Sequence, residues 1–485
     1  MKLETAVKYM NADASATNPA LLLRDVKSFA IDSREVKAGD VFFALSQPDY
    51  KNNGFNGDFE DSHKYIPSAF ENGAVACIAR PDRFEEHKAG LEKYRDRLLF
   101  VRDAILALQR LAHGVYLRWN KPVVAITGSA GKTTAKELTA HVLEAKGLKV
   151  LKNIKNYNNG LGHPLTVLKL AEDSSFDVAV LEMGMSTPLR EIERLCRITP
   201  PDFSVALNVL PVHLEHLGTI ERIQEAKAEL VEGMKPGGTA VLNADDFRVL
   251  AMQEKSKGKT LTYGIENKAD VTADRIEMKR FGETRFKLHT PEGEAEVLFS
   301  LSGRHNVLNA LAASAVGFSF GMTTEEIAEA LKSVAPPPQR GEVIHFREGF
   351  TVINDSYNSN PDALISMVKT LIDGGQNAKR KIVVAGEMLE LGAEEAAIHR
   401  EVGEILAQTE IDFLIGVRGL AKEMVESARK AGLKKAKFFN SSAEAGEFLV
   451  KEIKEGDAVL VKGSRGVRTE KVVEKLLEKF ETEKR

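Results

Sequence analysis

The residue types around position 130 are those that bind and transfer phosphate groups. An apolar run at residues 123–126 leads into Thr-Gly-Ser-Ala-Gly-Lys-Thr-Thr at residues 127–134, and a helical pattern follows at residues 135–146. Glycines let successive backbone N–H groups turn toward one anion, and the N-terminus of a following helix adds positive potential. Ile126 stands where the full phosphate-loop pattern has its first glycine. The pattern still predicts a nucleotide phosphate loop rather than a surface turn.

The lysine and threonine side chains of this loop can contact a nucleotide and its metal ion. Lys132 supplies a charge for the terminal phosphates, and a hydroxyl of Thr133 or Thr134 could ligate Mg²⁺. The predicted ATP-binding residues of the loop are Gly128, Ser129, Ala130, Gly131, Lys132, Thr133 and Thr134.

Further polar residues follow apolar runs downstream of this loop. Glu182 ends one such run, and a carboxylate there can hold the Mg²⁺ that bridges nucleotide phosphates. His213 and His216 follow the next run, but their spacing is not a zinc pattern, and Lys227 resembles a solvated charge on a helix. Spacing alone therefore leaves the roles of His213 and Lys227 open.

Two asparagines and an arginine extend the candidate site. Asn306 and Asn309 are one helical turn apart and share a face, as contacts to an adenine edge require, although capping and packing explain them equally well. Arg340 follows three prolines at residues 336–338. If a second domain carries Arg340, it reaches a γ-phosphate when the domains close, as an arginine finger does.

The elements that must position these residues alternate between strand and helix. Apolar runs at residues 177–184 and 203–209 predict a parallel sheet covered on both faces, and ligands of such sheets sit beyond the carboxyl ends of the strands. The runs at residues 350–355, 381–386, 413–416 and 458–463 repeat the alternation and predict a dinucleotide-fold domain. Residues 470–485 read as a solvated amphipathic helix that frays at its end.

The first hundred residues mix short strands with loops. Ser33 and Arg34 follow a strand-like run, where ligand contacts gather, but a solvated turn is as plausible. Residues 50–62 are rich in Asn, Gly and Asp and read as a long loop. The sequence thus predicts an α/β protein with domains at residues 1–103, 104–337 and 338–485.

Composition limits the function classes. A formal net charge of -3 over 485 residues argues against a general nucleic-acid or anionic-membrane binder. Cys77 and Cys196 are too few for a disulfide framework, and we expect two buried thiols in a reducing compartment. No signal peptide and no apolar run of the ~20 residues that span a membrane is evident. We therefore expect a cytoplasmic protein without membrane insertion.

Taken together, the motifs resemble the Mur ligase family, the ATP-dependent amide ligases of peptidoglycan precursor synthesis. Residues 127–134 are similar to the family's ATP loop, with Ala130 in place of the more usual asparagine. Asn-Tyr-Asn-Asn-Gly-Leu-Gly-His-Pro at residues 156–164 is similar to its asparagine-rich substrate loop, with His163 as a departure. Asp32-Ser33-Arg34 resembles part of its uridine-nucleotide domain, whereas residues 51–62 depart from the compact loop usual there.

The resemblance implies three α/β domains: a small uridine-nucleotide domain, a central P-loop ATPase-like parallel-sheet domain, and a C-terminal Rossmann-like domain. The runs at residues 355–361, 386–392 and 461–466 are most similar to the member that joins D-alanyl-D-alanine to UDP-N-acetylmuramoyl-tripeptide. The arginine-containing Asp-Asn-Pro motif of the ligase that adds diaminopimelate or lysine is absent from the sequence. The implied cofactors are ATP and two Mg²⁺ ions, and a monomer is expected.

The resemblance also assigns roles residue by residue. It implies that Lys132, Glu182, His213, Lys227 and Arg340 are catalytic, with Thr133, Glu182, His213 and a carbamylated Lys227 as metal ligands. Asn306, Asn309, Arg340 and Asp355 would contact ATP. The implied substrate contacts are Ser33, Arg34, Asn158, Asn159, Tyr357, Asn358, Lys462, Ser464 and Arg465.

Three other functions remain open at this point. A sister ligase of the same fold would accept a different amine. A P-loop switch or motor protein would hydrolyse nucleotide in response to a macromolecule and form no amide. A non-catalytic sugar-nucleotide binder would release no ADP.

Overall fold

Three β-sheets follow one another along the chain in a computed structural model that describes residues 1–55, 57–154, 156–185, 189–212 and 214–483. The first sheet has four parallel strands in the order β1-β2-β3-β4. Its strands are β1 (Phe29–Ala30), β2 (Val41–Phe43), β3 (Ala76–Ala79) and β4 (Leu98–Phe100). The helices of this part are α1 (Leu3–Met10), α2 (Pro19–Leu22), α3 (Gln47–Asn52), α4 (Ile66–Glu71), α5 (Pro81–Glu86) and α6 (Lys88–Leu91), with 3-10 turns at Ser62–Tyr65 and Glu92–Arg97.

The second sheet has nine strands in the order β13-β12-β11-β10-β9-β8-β5-β7-β6. Its strands are β5 (Val123–Thr127), β6 (Val150–Lys152), β7 (Val178–Glu182), β8 (Phe203–Ala206), β9 (Thr239–Asn243), β10 (Lys259–Gly264), β11 (Val271–Arg280), β12 (Glu283–Thr290) and β13 (Gly293–Phe299). The accompanying helices are α7 (Ala104–Trp119), α8 (Lys132–Ala145), α9 (Gly162–Glu172), α10 (Glu191–Ile198), α11 (Leu214–Leu217), α12 (Ile220–Glu232), α13 (Phe247–Leu250), α14 (Arg304–Ser319) and α15 (Thr324–Lys332), with a 3-10 turn at Ala251–Lys255.

The third sheet has six strands in the order β14-β15-β19-β16-β17-β18. Its strands are β14 (Glu342–His345), β15 (Thr351–Asp355), β16 (Arg380–Gly386), β17 (Phe413–Val417), β18 (Ala436–Phe439) and β19 (Asp457–Lys462). Its helices are α16 (Pro361–Gly374), α17 (Glu395–Ala407), α18 (Ala421–Lys430), α19 (Ser442–Glu452) and α20 (Glu470–Lys479), with 3-10 turns at Gly392–Glu394 and Arg465–Val467. The predicted α/β architecture of three units is confirmed, whereas the limits 1–103, 104–337 and 338–485 stay predictions.

The carboxyl ends of the central strands carry most of the predicted site residues. Strands β5, β7, β17 and β19 are buried along their whole length, and β16 is buried from Ile382 onward, as expected for parallel strands covered by helices on both faces. One hydrophobic cluster covers each face of the second sheet, and two further clusters cover the third. The strands are thereby fixed, and the residues just beyond β5, β7, β8, β15 and β19 are held in place.

The predicted strands of the second sheet, β5, β7 and β8, pair in parallel as expected. The antiparallel pairs of β11 with β12 and of β12 with β13 at one edge of this sheet, and of β14 with β15 in the third sheet, were not predicted. Two local predictions were wrong. Tyr50 lies in α3 rather than in a loop, because Ser46 and Asp49 form a capping box that starts this helix. Helix α8 begins at Lys132, three residues earlier than predicted.

The last helix also differs from its prediction. Helix α20 ends at Lys479 and buries three apolar side chains, so that it is packed rather than merely solvated. Phe480 then lies edge-on to Phe350, with the ring centroids 5.2 Å apart. None of the helices within the described ranges is long and apolar enough to cross a membrane.

Candidate functional site

The loop between β5 and α8 is held in shape by the end of β8. The Ala130 N–H donates to Asn208 Oδ1 at 2.8 Å, and Asn208 Nδ2 donates to the Ala130 carbonyl at 3.1 Å. Ser129 Oγ donates to the Leu210 carbonyl at 3.0 Å and accepts the Leu210 N–H at 2.9 Å. Gly131, with φ of +81°, turns the chain into α8. This loop is therefore preorganised at a helix N-terminus, as anion binding requires.

Lys132 folds back over this loop. Its Nζ donates to the Gly128 carbonyl at 2.8 Å, and Thr134 lies two residues further along α8, facing the same cavity. Burial lowers the pKa of the Lys132 ammonium, the positive charge of Arg340 lowers it further, and the Glu182 carboxylate opposes both effects. An anionic phosphate at the loop would stabilise the charged form of Lys132.

A chain of hydrogen bonds joins Thr133, Glu182 and Asn158. Thr133 Oγ1 donates to Glu182 Oε2 at 2.9 Å, and Asn158 Nδ2 donates to Glu182 Oε1 at 2.7 Å. Asn159, the next residue, uses its side-chain carbonyl to cap α9 through the N–H of Gly162 at 2.9 Å. The hydroxyl and carboxylate oxygens of Thr133 and Glu182 are hard ligands of the kind that Mg²⁺ prefers, so these two residues fit a magnesium ion.

The segments that flank β14 and β15 contribute a cation and an aromatic ring to the phosphate loop. Arg340 Nη2 donates to Thr133 Oγ1 at 3.1 Å. The Arg340 guanidinium also lies over the Tyr357 ring, 4.0 Å from its centroid, and Arg465 lies at 5.6 Å from the same centroid. The structure thus brings the predicted arginine finger to the phosphate loop.

Helix α14 closes one wall of the site. Asn306 and Asn309 are both buried, and Asn309 Nδ2 is 3.4 Å from Asn306 Oδ1. A Cβ added to Gly131 would lie 2.7 Å from Asn309 Oδ1, so the loop and the helix are in close contact. The predicted pair of asparagines therefore lies against the phosphate loop.

The ends of β15 and β19 meet on the opposite wall. Lys462 Nζ is 2.5 Å from Asp355 Oδ2 and donates to the Asn358 carbonyl at 2.8 Å. Ser464 Oγ accepts the Leu389 N–H at 3.0 Å, so it is already engaged within its own domain.

These elements enclose one cleft of about 550 Å³. Nearly all of the predicted ATP-binding residues line this cleft, together with the three asparagines of the 156–164 loop, Asn156, Asn158 and Asn159. The predicted site residues in its wall are Ser129, Ala130, Gly131, Lys132, Thr133, Thr134, Asn158, Asn159, Glu182, Asn306, Asn309, Arg340, Asp355, Tyr357, Asn358 and Lys462. Ser464 and Arg465 line an adjoining cavity of about 170 Å³, which shares Ser129 and Asn358 with the cleft.

The remaining predicted residues lie elsewhere. Arg34 is exposed and pairs with Asp32 through two nitrogen atoms, and the Ser33 carbonyl accepts a hydrogen bond from Asn72 at 2.9 Å. Neither residue belongs to the described lining of the cleft. Lys227 is buried in α12, and burial together with the charge of Lys132 lowers its pKa well below the ordinary value. His213 lies outside the described residues.

Two functional residues were missed by the sequence reasoning. Asn208 binds the Ala130 N–H of the phosphate loop, and Asn153 binds the backbone of Glu182. Their only signal in the sequence is that each directly or closely follows an apolar strand run. Within the described ranges, no three His, Cys, Asp or Glu residues cluster as metal ligands, and one predicted ligand, His213, is outside them.

Comparison with known proteins decides the family. The Mur ligase middle domain matches residues 126–317, and the Mur ligase glutamate ligase domain matches residues 339–465. UDP-N-acetylmuramoyl-tripeptide–D-alanyl-D-alanine ligase of Bacillus subtilis is 31% identical over 466 residues, which is 95% of each chain. This chain belongs to the Mur ligase family. The Escherichia coli ligase of the same name is 33% identical to this Mur ligase and covers 92% of it, with 93% of its own length aligned.

Solved structures share the fold of this Mur ligase over nearly its whole length. MurF from Acinetobacter baumannii superimposes with a TM-score of 0.85 at 28% identity and covers 99% of both chains. MurF ligase from Thermotoga maritima, solved in complex with ADP, gives a TM-score of 0.79 at 29% identity and covers 95% of this chain and 99% of its own. This Mur ligase therefore has the fold of the solved MurF structures, one of which was determined in complex with ADP.

Proposed function

We propose that this Mur ligase joins D-alanyl-D-alanine to UDP-N-acetylmuramoyl-tripeptide, with conversion of ATP to ADP and phosphate, in peptidoglycan precursor synthesis. The observation that carries the proposal is the contact of Arg340 with Thr133, which brings a cation from the segment just before β14 to the phosphate loop that follows β5. The relatives that carry this activity in their names align over more than nine-tenths of the chain.

The proposed reaction proceeds through an acyl phosphate. An oxygen of the tripeptide's terminal carboxylate attacks the γ-phosphorus of ATP, and the bond to the β-γ bridging oxygen breaks to release ADP. The amine of D-alanyl-D-alanine then attacks the acyl carbon, loses a proton, and expels phosphate through a tetrahedral intermediate. Phosphorylation is needed because a carboxylate repels nucleophiles and its oxide leaves poorly.

The chain's own cations neutralise the phosphoryl group as it moves. The Lys132 ammonium contacts the Gly128 carbonyl of the loop, and Arg340 contacts the Thr133 hydroxyl. Preorganised charges of this kind stabilise a transition state without reorganising during reaction. Thr133 and Glu182 would hold one Mg²⁺, which supplies Lewis-acid charge and orients phosphate oxygens when bound. Asn306, Asn309 and Asp355 would contact adenine and ribose.

Lys227 has the chemistry needed for carbamylation. Its burial beside Lys132 favours the neutral amine, and a neutral amine adds to CO₂ with loss of one proton to give a carbamate. The carbamate would supply an oxygen ligand in place of a cation, and together with His213 it would hold a second Mg²⁺ near the acceptor carboxylate.

The tripeptide would occupy the cleft, and the dipeptide would occupy the cavity beside it. Asn158 and Asn159 in one wall face the place of the tripeptide, and Ser33 and Arg34 of the first domain would contact its uridine nucleotide. The cavity beside the cleft is the proposed place of the dipeptide, with Ser464 and Arg465 in its wall and Asn358 in the walls of both cavities. Tyr357 and Lys462, in the wall of the cleft, are the further proposed contacts.

The location and assembly of the protein are part of the proposal. Cys77 and Cys196 are buried free thiols, which suit a reducing compartment such as the cytoplasm. A monomer is proposed, and sedimentation of the purified chain tests it.

Phosphate release tests the proposed function. The enzyme is mixed with ATP, Mg²⁺ and the UDP-muramoyl-tripeptide, and single amines are then added in turn. Release should require D-alanyl-D-alanine and give a product heavier by that dipeptide less water, and Lys132→Ala should abolish it while retaining the fold. Release with a single amino acid instead would indicate a sister ligase. Release that responds only to a macromolecule would indicate a switch or motor protein.

A further inference from the structure

Asn153 lies directly after β6 and faces the end of β7. Its Oδ1 accepts the Glu182 N–H at 3.0 Å, and its Nδ2 donates to the Glu182 carbonyl at 2.9 Å. Both backbone groups of Glu182 are thus bound by one side chain, which is 2% exposed. An amide is needed for this pairing, because one end must accept and the other must donate.

The same amide also fixes the residue that holds the Glu182 carboxylate. Asn153 Nδ2 donates to the Tyr157 carbonyl at 2.9 Å, and the next residue, Asn158, donates to Glu182 Oε1. Lys136, on α8, holds the backbone of Asn153. Its Nζ donates to the Asn153 backbone carbonyl at 2.6 Å, and its side chain is nearly inaccessible to solvent.

We propose that Asn153 is a positioning residue that sets the direction of the Glu182 carboxylate toward Thr133, with Lys136 as its support. The inference rests on the proposed Mg²⁺-nucleotide site at these two residues. Within the described lining of the cleft, Glu182 and Asn158 are present and Asn153 is not, so Asn153 acts through Glu182. Residues that orient metal ligands in this way change metal affinity about 10–100-fold when they are replaced.

Asn153→Asp is the sharpest variant. It has nearly the same shape and keeps the acceptor for the Glu182 N–H, but it replaces two donated hydrogen bonds by lone pairs that face carbonyl oxygens. Lys136→Met is the second variant. It leaves the Asn153 amide intact and removes the hydrogen bond to the Asn153 backbone carbonyl, together with the 2.9 Å ion pair between Lys136 and Glu137. Thr284→Val is the matched control, since it deletes a buried hydrogen bond of 2.8 Å, to the Leu301 carbonyl in the antiparallel part of the sheet.

The test is calorimetric binding of ADP with Mg²⁺ and with EDTA. For the wild type, Mg²⁺ should tighten ADP binding. In Asn153→Asp this gain should shrink about 10-fold, with ADP affinity in EDTA unchanged. Lys136→Met should lose a smaller part of the gain, and Thr284→Val should keep all of it.

Each other outcome is decisive. If Asn153→Asp or Lys136→Met folds and keeps the full Mg²⁺ gain, the positioning role is wrong while the nucleotide site stands. An equal loss in EDTA and Mg²⁺ would show general damage and would also overturn the inference. If the wild type itself gains nothing from Mg²⁺, the proposed metal site fails and the inference fails with it.

Discussion

The guanidinium of Arg340 donates a hydrogen bond of 3.1 Å to the hydroxyl of Thr133, which lies 207 residues earlier in the chain. That hydroxyl in turn donates to Glu182 at 2.9 Å. The residues that we expect to meet the γ-phosphate and its Mg²⁺ are therefore already in contact with one another. We expect bound nucleotide to take the place of the Thr133 hydroxyl as the partner of Arg340.

Replacement of Arg340 should affect turnover more than nucleotide binding. Arg340→Ala removes a cation that acts on the transferring phosphoryl group, and we expect kcat to fall about 10²–10³-fold with little change in ADP affinity. Arg340→Lys keeps a charge without the planar fork and should recover only part of the rate. Steady-state kinetics and calorimetry measure the two quantities, and a kcat of Arg340→Ala close to that of the wild type would remove Arg340 from the mechanism.

Tyr357 should hold Arg340 through its ring face. The guanidinium is 4.0 Å from the ring centroid, and a partly desolvated contact of this kind contributes about 1 kcal/mol. Tyr357→Leu should therefore lower kcat by about fivefold, whereas Tyr357→Phe, which keeps the ring, should be close to wild type. Equal losses in the two variants would instead assign the phenol hydroxyl, and not the ring, to the function.

Gly131 should be required both for its backbone conformation and for its lack of a side chain. Its φ is +81°, and an added Cβ would lie 2.7 Å from Asn309 Oδ1. Gly147, just beyond the other end of α8, has φ of +87° and no heavy atom near its Cβ position, so it is a matched control for backbone strain. Both Gly→Ala variants should lose about 1–2 kcal/mol of stability, and only Gly131→Ala should also lose ADP affinity. Calorimetry measures the ADP affinity of both variants. Equal affinities would contradict a role of the contact between Gly131 and Asn309 in nucleotide binding.

His163 should make the protein less stable in acid. Burial lowers its pKa from 6.5 to about 3, so between these values the unfolded chain binds more protons than the folded one. Stability from this group is complete above pH 6.5 and is lost as pH falls toward 3, with a slope of up to about 1.4 kcal/mol per pH unit. His305, whose burial lowers its pKa to about 4, acts in the same direction. His163→Gln should therefore flatten, without abolishing, the fall of Tm with acid, and an unchanged slope would contradict a buried neutral imidazole.

Much of the central sheet could be predicted because its strands are short, apolar and fully buried. The predicted runs at residues 177–184 and 203–209 contain strands β7 (Val178–Glu182) and β8 (Phe203–Ala206). The antiparallel strands β11 to β13 were not predicted, because one of their faces is solvent-exposed and their apolar residues merely alternate with charged ones. Tyr50 was assigned to a loop because its helix is polar, and only the capping box at Ser46 explains its start.

The site was predictable where its residues are adjacent in sequence. The composition of the loop at residues 127–134 indicates phosphate binding. The position of Glu182 at a strand end indicates that it belongs to the same site. The stacking of Arg340 on Tyr357 and the pairing of Asn153 with Glu182 depend on how separate elements pack. No local pattern encodes such contacts, so they became visible only in the folded chain.

The fate of one oxygen atom tests the central claim most directly. UDP-muramoyl-tripeptide carrying oxygen-18 in its terminal carboxylate is incubated with the enzyme, ATP, Mg²⁺ and D-alanyl-D-alanine, and the released phosphate is analysed by mass spectrometry. The account predicts one labelled oxygen in each phosphate, formed together with the dipeptide-extended product. Unlabelled phosphate would mean that water, and not the carboxylate, receives the phosphoryl group, and would contradict ligation through an acyl phosphate.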